Sequence, residues 1–228
     1  MKLTRIAPSE FRVSTWSGGT TTELYIDPAG ADFKERRFDV RISSATFTGT
    51  ASTFSDFTGY QRYLLPLVGQ LSVEHSDQGK ALYQRFLSTY DVEYFPGHWQ
   101  TTSENSADCV DFNLIVRKGL EAHLQVFTDE GTYTPKKDGV LFLYSLKDFA
   151  FAPNALSADD ARFAEAVEGG TLARIEAEPT LYSLRLLPDA PVILGEVTWG
   201  RDVVMQGREV TRGQDVTQGQ EVTRGKHE

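Results

Sequence analysis

The sequence predicts an all-β protein built as two similar halves, and three observations carry the prediction. Short runs of alternating apolar and polar residues, closed by Gly, Pro, Asp or Asn turn signals, recur from the N-terminus to Trp199. Aromatics make up 11% of the chain and glycines number 19, a composition that suits sheets and tight turns better than helical bundles. Only residues 158–167 carry helical signals, with Ser157 as N-cap and Gly169-Gly170 as the stop. The strand texture of the first half returns over 120–199 without evident identity, so two stacked sandwiches or barrels are expected. At 228 residues, roughly 70% of the unfolded surface can be buried, enough for a substantial core.

The first ten residues read as a strand or arm leading into Trp16-Ser-Gly-Gly-Thr-Thr-Thr-Glu23. Adjacent glycines permit close backbone approach, and the threonines offer hydroxyls ahead of an acid. The same stretch also reads as a tight structural loop plugged by a buried Trp; it is not a P-loop, because no Gly-Lys-Ser/Thr follows. Leu24, Tyr25 and Ile26 form a short strand stopped by Asp27-Pro-Ala-Gly30. From Phe38 the alternation is clean, with Phe38, Val40 and Ile42 on one face and Asp39, Arg41 and Ser43 on the other. That polar face meets solvent or lines a barrel.

Residues 54–73 hold the densest apolar run and read as an aromatic loop entering a buried hairpin that turns at Gly69, with Leu71 and Val73 opposite Leu65 and Leu67. This delivers Tyr60 and Arg62 to the mouth of a sheet. A strand over 81–88 follows, then Pro96-Gly97 forces a reversal near an exposed His98 and Trp99. Over 108–119, Phe112, Leu114 and Val116 share one face, and Asp111, Asn113, Ile115 and Arg117 the other. In the second half, strands are expected over 122–127, 139–144, 182–187 and 192–199. From Gly207 a six-residue repeat takes over with one valine per repeat, too little apolar surface to offset ordering entropy, so a disordered tail is expected. Residues 201–228 hold five basic and five acidic side chains, so the net charge of −9 belongs to the folded part.

That acidic balance argues against nucleic acid as a partner. Cys109 is the sole cysteine, so no disulfide forms within the chain, and a reducing compartment is expected. The N-terminus lacks a long apolar targeting core, and no run approaches the roughly 20 apolar residues of a membrane span. Together these features place the protein in the cytoplasm.

Four segments, Trp16 to Leu24, Phe38-Asp-Val-Arg-Ile-Ser-Ser-Ala45, Phe54 to Gly69 and Asp111-Phe-Asn-Leu-Ile-Val-Arg-Lys-Gly119, resemble in order and spacing the HutD/Ves family of bacterial bicupins, whose HutD branch is associated with histidine utilisation. The resemblance implies an RmlC-like bicupin: a cupin-type β-barrel over 1–120 holding the pocket, a second over 121–199, and the repeat tail over 200–228. It also implies a non-enzymatic binder of a small metabolite of the histidine pathway, such as urocanate or formylglutamate.

The residues set limits on the chemistry. A metal-binding cupin uses a His-x-His pair with a carboxylate and a further His, whereas His75, His98, His123 and His227 are scattered here and read as solvent-facing. No metal and no cofactor are therefore expected. Cys109 reads as a small core residue, and pairing it with His98 as nucleophile and base is the weaker reading. What remains is a polar constellation: Arg41 and Arg62 as forks for a carboxylate, Asn113 as a two-way amide, Glu23 as an acceptor, the hydroxyls of Thr20 and Thr21, and Tyr60 beside Arg62. Arg41 could equally pair with Asp39, Asp111 or Glu23 as an internal ion pair. The expected partner is a small anionic metabolite, with a homodimer open as an assembly. The rival is a metal-independent isomerase or hydrolase of a carboxylated metabolite, with Glu23 or Asp111 as general base.

Overall fold

The structure, a computed structural model, describes residues 1–153, 164–176, 184–188 and 190–199. Its strands form four antiparallel sheets stacked as successive layers. The outermost is four-stranded, in the order Ala51–Thr53, Gln100–Asn105, Leu71–Asp77, Lys80–Leu87. Beneath it lies a six-stranded sheet in the order Arg12–Trp16, Gly19–Asp27, Val40–Phe47, Val110–Arg117, Tyr60–Val68, Glu93–Pro96. The third layer is five-stranded: Lys2–Ile6, Leu172–Glu176, Gly139–Tyr144, Val192–Thr198, Glu121–Phe127. The fourth is Gly131–Tyr133, Leu184–Pro188, Phe149–Pro153, Glu165–Val167. The N-terminal arm thus pairs with Leu172–Glu176 and ties the two halves of the chain together.

The six-stranded sheet is covered on both faces, and its sequence shows why. A strand buried on two sides needs apolar residues at nearly every position, which Tyr63, Leu64, Leu65 and Leu67 supply. One face, with Ile42, Leu65, Phe112, Leu114 and Val116, packs on Leu124, Val140, Phe142, Ile193 and Val197 of the five-stranded sheet. Each fully buried aliphatic side chain there contributes about 2 kcal/mol. The other face meets the outer sheet only in part: Leu64 and Phe95 pack with Leu71, Val73, Leu87 and Cys109. Across the rest of that face the side chains are polar, and the layers part to leave a cavity. A further core, with Leu141, Leu143, Phe151, Ile175, Leu186 and Leu194, joins the third and fourth layers.

Three expectations need correction. Tyr60–Val68 and Leu71–Asp77 are not a hairpin; the first pairs with Val110–Arg117 and Glu93–Pro96, the second with Gln100–Asn105 and Lys80–Leu87. Gly69 does take a positive φ of 72°, but the reversal carries the chain from one sheet into the facing one. A Cβ there would collide with Ser106 and Asp108, whose turn packs against it. The true hairpin is the next one, closed by Gln78-Gly79 at φ 49° and 78°, the two positive values that a tight two-residue turn requires. Of the expected helix over 158–167, residues 158–163 lie outside the described residues, and Glu165–Val167 is a strand paired with Phe149–Phe151. Finally, His75 is not solvent-facing: it is fully buried, because period two places it on the same inward face as Leu71 and Val73. The repeat tail lies outside the described residues.

Candidate functional site

The cavity has a volume of about 350 Å³, at the small end for ligand sites and suited to a small metabolite. Its floor is three neighbouring strands of the six-stranded sheet. Register places Ile115 between Arg41 and Arg62, Asn113 opposite Ser43 and Asp111 opposite Ala45, so alternation along each strand brings all of them to one face. Phe33, Phe54 and Phe57 form aromatic walls, and Trp16, half exposed, stands at the rim with its indole N–H donated to Thr21 Oγ1 at 3.2 Å.

A bulge in Gly19–Asp27 aims one more side chain. Glu23 lies opposite Ser43 and Tyr25 opposite Ile42, so Leu24 is the extra residue, and Glu23 shares the face of Arg41. Arg41 Nε donates to Glu23 Oε2 at 2.8 Å, its Nη1 donates to Ser43 Oγ at 3.1 Å, and its guanidinium lies 4.4 Å from the centre of the Phe33 ring. Glu23 has Arg12 at 4.0 Å on its other oxygen. Arg41 is therefore the internal ion pair that its neighbours allowed, with both charges nearly buried.

Arg62 is different. Its Nη2 donates to Asn113 Oδ1 at 2.9 Å, while Nε is buried with no hydrogen-bond partner among the described residues. The guanidinium carbon lies 4.8, 5.4 and 5.1 Å from the ring centres of Phe54, Phe57 and Phe95, an aromatic frame that stabilises a cation without neutralising it. Burial draws its pKa down to about 10 against the opposing pull of Asp111. Asp111 is itself 3% exposed, and burial pushes its carboxyl up to about 7, although the Ala45 N–H donates to Oδ1 at 2.8 Å and Arg62, Asn113 and Arg41 all favour the charge. Lys34 adds a further cation to the lining, while Arg36 lies outside it, 3.7 Å from the Phe57 ring centre. In a chain of net charge −9, this cavity carries a positive excess, with Arg62 as its uncommitted centre.

No group of three His, Cys, Asp or Glu side chains is placed to hold a metal ion among the described residues. His75 Nδ1 is 2.9 Å from Thr101 Oγ1, and Nε2 is 3.7 Å from Glu93 Oε1; the ring is enclosed by Tyr83, Phe95 and Trp99 behind the cavity wall. His98 and His123 are exposed, and Cys109 is buried in the core. A second groove of about 290 Å³, lined by Ser72, Glu74, Gln84, Thr102 and Glu104 among others, has no cation and no aromatic wall.

Residues 8–181 match the family described as HutD. The chain belongs to the HutD family. Among solved structures, HutD from Pseudomonas fluorescens is 22% identical at a TM-score of 0.67, covering 86% of this chain and 98% of its own. A conserved protein of unknown function from Pseudomonas aeruginosa is 21% identical at 0.70, covering 87% and 100%. An oxalate decarboxylase variant from Bacillus subtilis is 9% identical at 0.54, covering 85% and 76%, a likeness of fold alone that marks the architecture as cupin-like. No curated protein matches the chain significantly.

Within this HutD-family protein the expected site residues divide. Arg41, Arg62 and Asn113 line the cavity together, and Glu23 stands behind Arg41 as its counter-ion. Tyr60 does not line it: its ring packs with Phe38 and Phe57, and its hydroxyl lies 2.8 and 3.0 Å from the carbonyl oxygens of Arg36 and Phe38. Tyr60 and Arg62 share a parity on their strand, but Tyr60 is its first residue, where the chain tucks under the loop of Phe57. Thr21, not Thr20, faces the cavity, since successive strand residues point to opposite sides. Sequence reasoning underrated Asp111, although its spacing of two from Asn113 already put it on the same face. The aromatic frame around Arg62 could be glimpsed only as Phe54 and Phe57 in a loop; Phe95, and Phe33 against Arg41, come from segments too distant to predict.

Proposed function

We propose that this HutD-family protein binds a small carboxylate-bearing metabolite of histidine or amino-acid catabolism in the cavity, of the urocanate or formylglutamate type. It does so without metal, as a cytoplasmic sensor or buffer rather than an enzyme. One observation carries the reading: a buried guanidinium, framed by three aromatic rings, whose Nε has no partner among the described residues. A carboxylate supplies the charge-assisted hydrogen bonds that such a fork lacks, and the Asn113 amide reads a neighbouring polar group. We read the four layers as two cupin-type barrels, residues 1–120 and 121–199, with the arm Lys2–Ile6 lent to the second.

A thermal-shift series with urocanate, histidine, formylglutamate and glutamate tests the proposal. A true ligand at 100 times its dissociation constant adds about 2.7 kcal/mol of stability. No shift with any of the four rejects the reading. A second reading, a metal-independent isomerase or hydrolase, is favoured by Asp111 alone, whose pKa of about 7 suits proton transfer; Glu23 is held by Arg41 and is a poor base. Turnover of a bound acid that disappears in Asp111→Asn would favour it.

A further inference from the structure

We propose that Asp111 receives the ligand's carboxylate as the neutral acid, so that the cavity takes up a proton together with its anion. This rests on the reading of the cavity as an anion site and adds how that site is regulated. The geometry begins with one hydrogen bond. Arg62 Nη2 donates to Asn113 Oδ1 at 2.9 Å, which fixes the amide's orientation, and Asp111 stands two residues back on the same face of that strand. Asp111 and Asn113 both line the cavity beside Arg62, so a carboxylate drawn to Arg62 arrives next to a second carboxyl group.

The charges around Asp111 decide which form can stay. Arg62 and Arg41 face it from the two flanking strands, but Arg41 is already matched by Glu23. Lys34 also lines the cavity, Arg36 lies outside the lining against the Phe57 ring, and Asp108 precedes Asp111 in the turn beside Cys109, whose thiol is raised by burial first and then by both acids. Beyond Phe95, His75 is held neutral by burial, against the pull of Glu93. An ionised Asp111 and a bound carboxylate would thus set two anions against one uncommitted guanidinium in a nearly dry site. The neutral acid instead donates its proton to the ligand oxygen, so that the carboxylate held at Arg62 meets one cation and no second anion beside it. Burial has already brought Asp111 to a pKa of about 7, so both its forms are within reach around neutral pH.

The test is calorimetry with formylglutamate, whose two carboxyl groups stay ionised above pH 6, in buffers of different ionisation heat. Binding only to the protonated form, about nine-tenths populated at pH 6 and one-tenth at pH 8, weakens affinity about tenfold over that range and takes up about half a proton at pH 7. Asp111→Asn keeps an oxygen for the Ala45 N–H and imitates the neutral acid; it binds with flat pH dependence and about tenfold more tightly than the parent at pH 8. Should that variant fail to fold, the proton count on the parent decides. Binding that is intact but flat from pH 6 to 8, with no proton uptake, overturns this proposal and leaves the anion site standing. Absence of binding at every pH overturns the anion site and this proposal with it.

Discussion

Replacing Arg62 by methionine separates a scaffold role from a binding role, and the structure sets the size of each effect. The drop in the Arg62 pKa from 12.5 to about 10 corresponds, at 1.36 kcal/mol per unit, to a burial penalty of about 3 kcal/mol. Because the folded value is the lower one, the unfolded chain holds the proton more tightly. The penalty is therefore complete at all pH values below about 10 and fades only between there and 12.5. Methionine removes it, fills the same slot against Phe54, Phe57 and Phe95, and loses about 1–2 kcal/mol of cation–aromatic attraction and about 1 kcal/mol for the Asn113 hydrogen bond. Asp111, deprived of a cation, becomes neutral at pH 7, so no lone charge is left behind. Urea unfolding at pH 7 should place Arg62→Met equal to the parent or up to about 1 kcal/mol more stable. Calorimetry should find the affinity for a carboxylate down by 100-fold or more, the loss of about 3 kcal/mol of charge-assisted bonding. A variant that loses about 3 kcal/mol of stability instead would refute the reasoning and make Arg62 the counter-ion that keeps Asp111 folded.

Glu23→Gln should act in the opposite sense, because it strands a buried Arg41 without its counter-ion; a loss of about 3 kcal/mol in urea unfolding is expected, and a neutral result would mean that solvent reaches the pair. His75 is buried with its pKa below the ordinary 6.5, so stability present above pH 6.5 is lost as pH falls toward the folded value. His75→Phe should accordingly flatten the fall in melting temperature between pH 6.5 and 5, and an unchanged slope would assign acid lability elsewhere. Burial pushes the Cys109 thiol up to about 12, so a disulfide reagent at pH 8 should label no native protein and one thiol per chain in denaturant. Rapid native labelling would expose an opening between the outer and six-stranded sheets.

What could be read from the chain was whatever depends on period two alone. The alternation at Val40–Ser43 and Asp111–Val116 told which side chains share a face, and it correctly separated the packed Phe112, Leu114 and Val116 from Asp111 and Asn113; Phe38, expected beside Val40 and Ile42, precedes the strand and packs instead with Phe57, Tyr60 and Ile115. The same rule, applied past Val73, would have put His75 inside. Pairing partners were not legible. Gly69 satisfied every condition for a hairpin turn, yet the strands it joins belong to facing sheets, because Val110–Arg117 competes for the edge of Tyr60–Val68. Nor was the bulge at Leu24, which decides that Glu23 meets Arg41, since one extra residue leaves no mark in composition.

The central claim is that an incoming carboxylate is held by Arg62, and the Nε–H resonance of that residue reports on it most directly. In nitrogen-15-labelled protein the signal, assigned by its absence in Arg62→Met, should be slow to exchange because the atom is buried. Titration with formylglutamate or urocanate should shift it saturably, with the dissociation constant that calorimetry gives for the same acid. A resonance that stays in place while the acid binds would contradict the account.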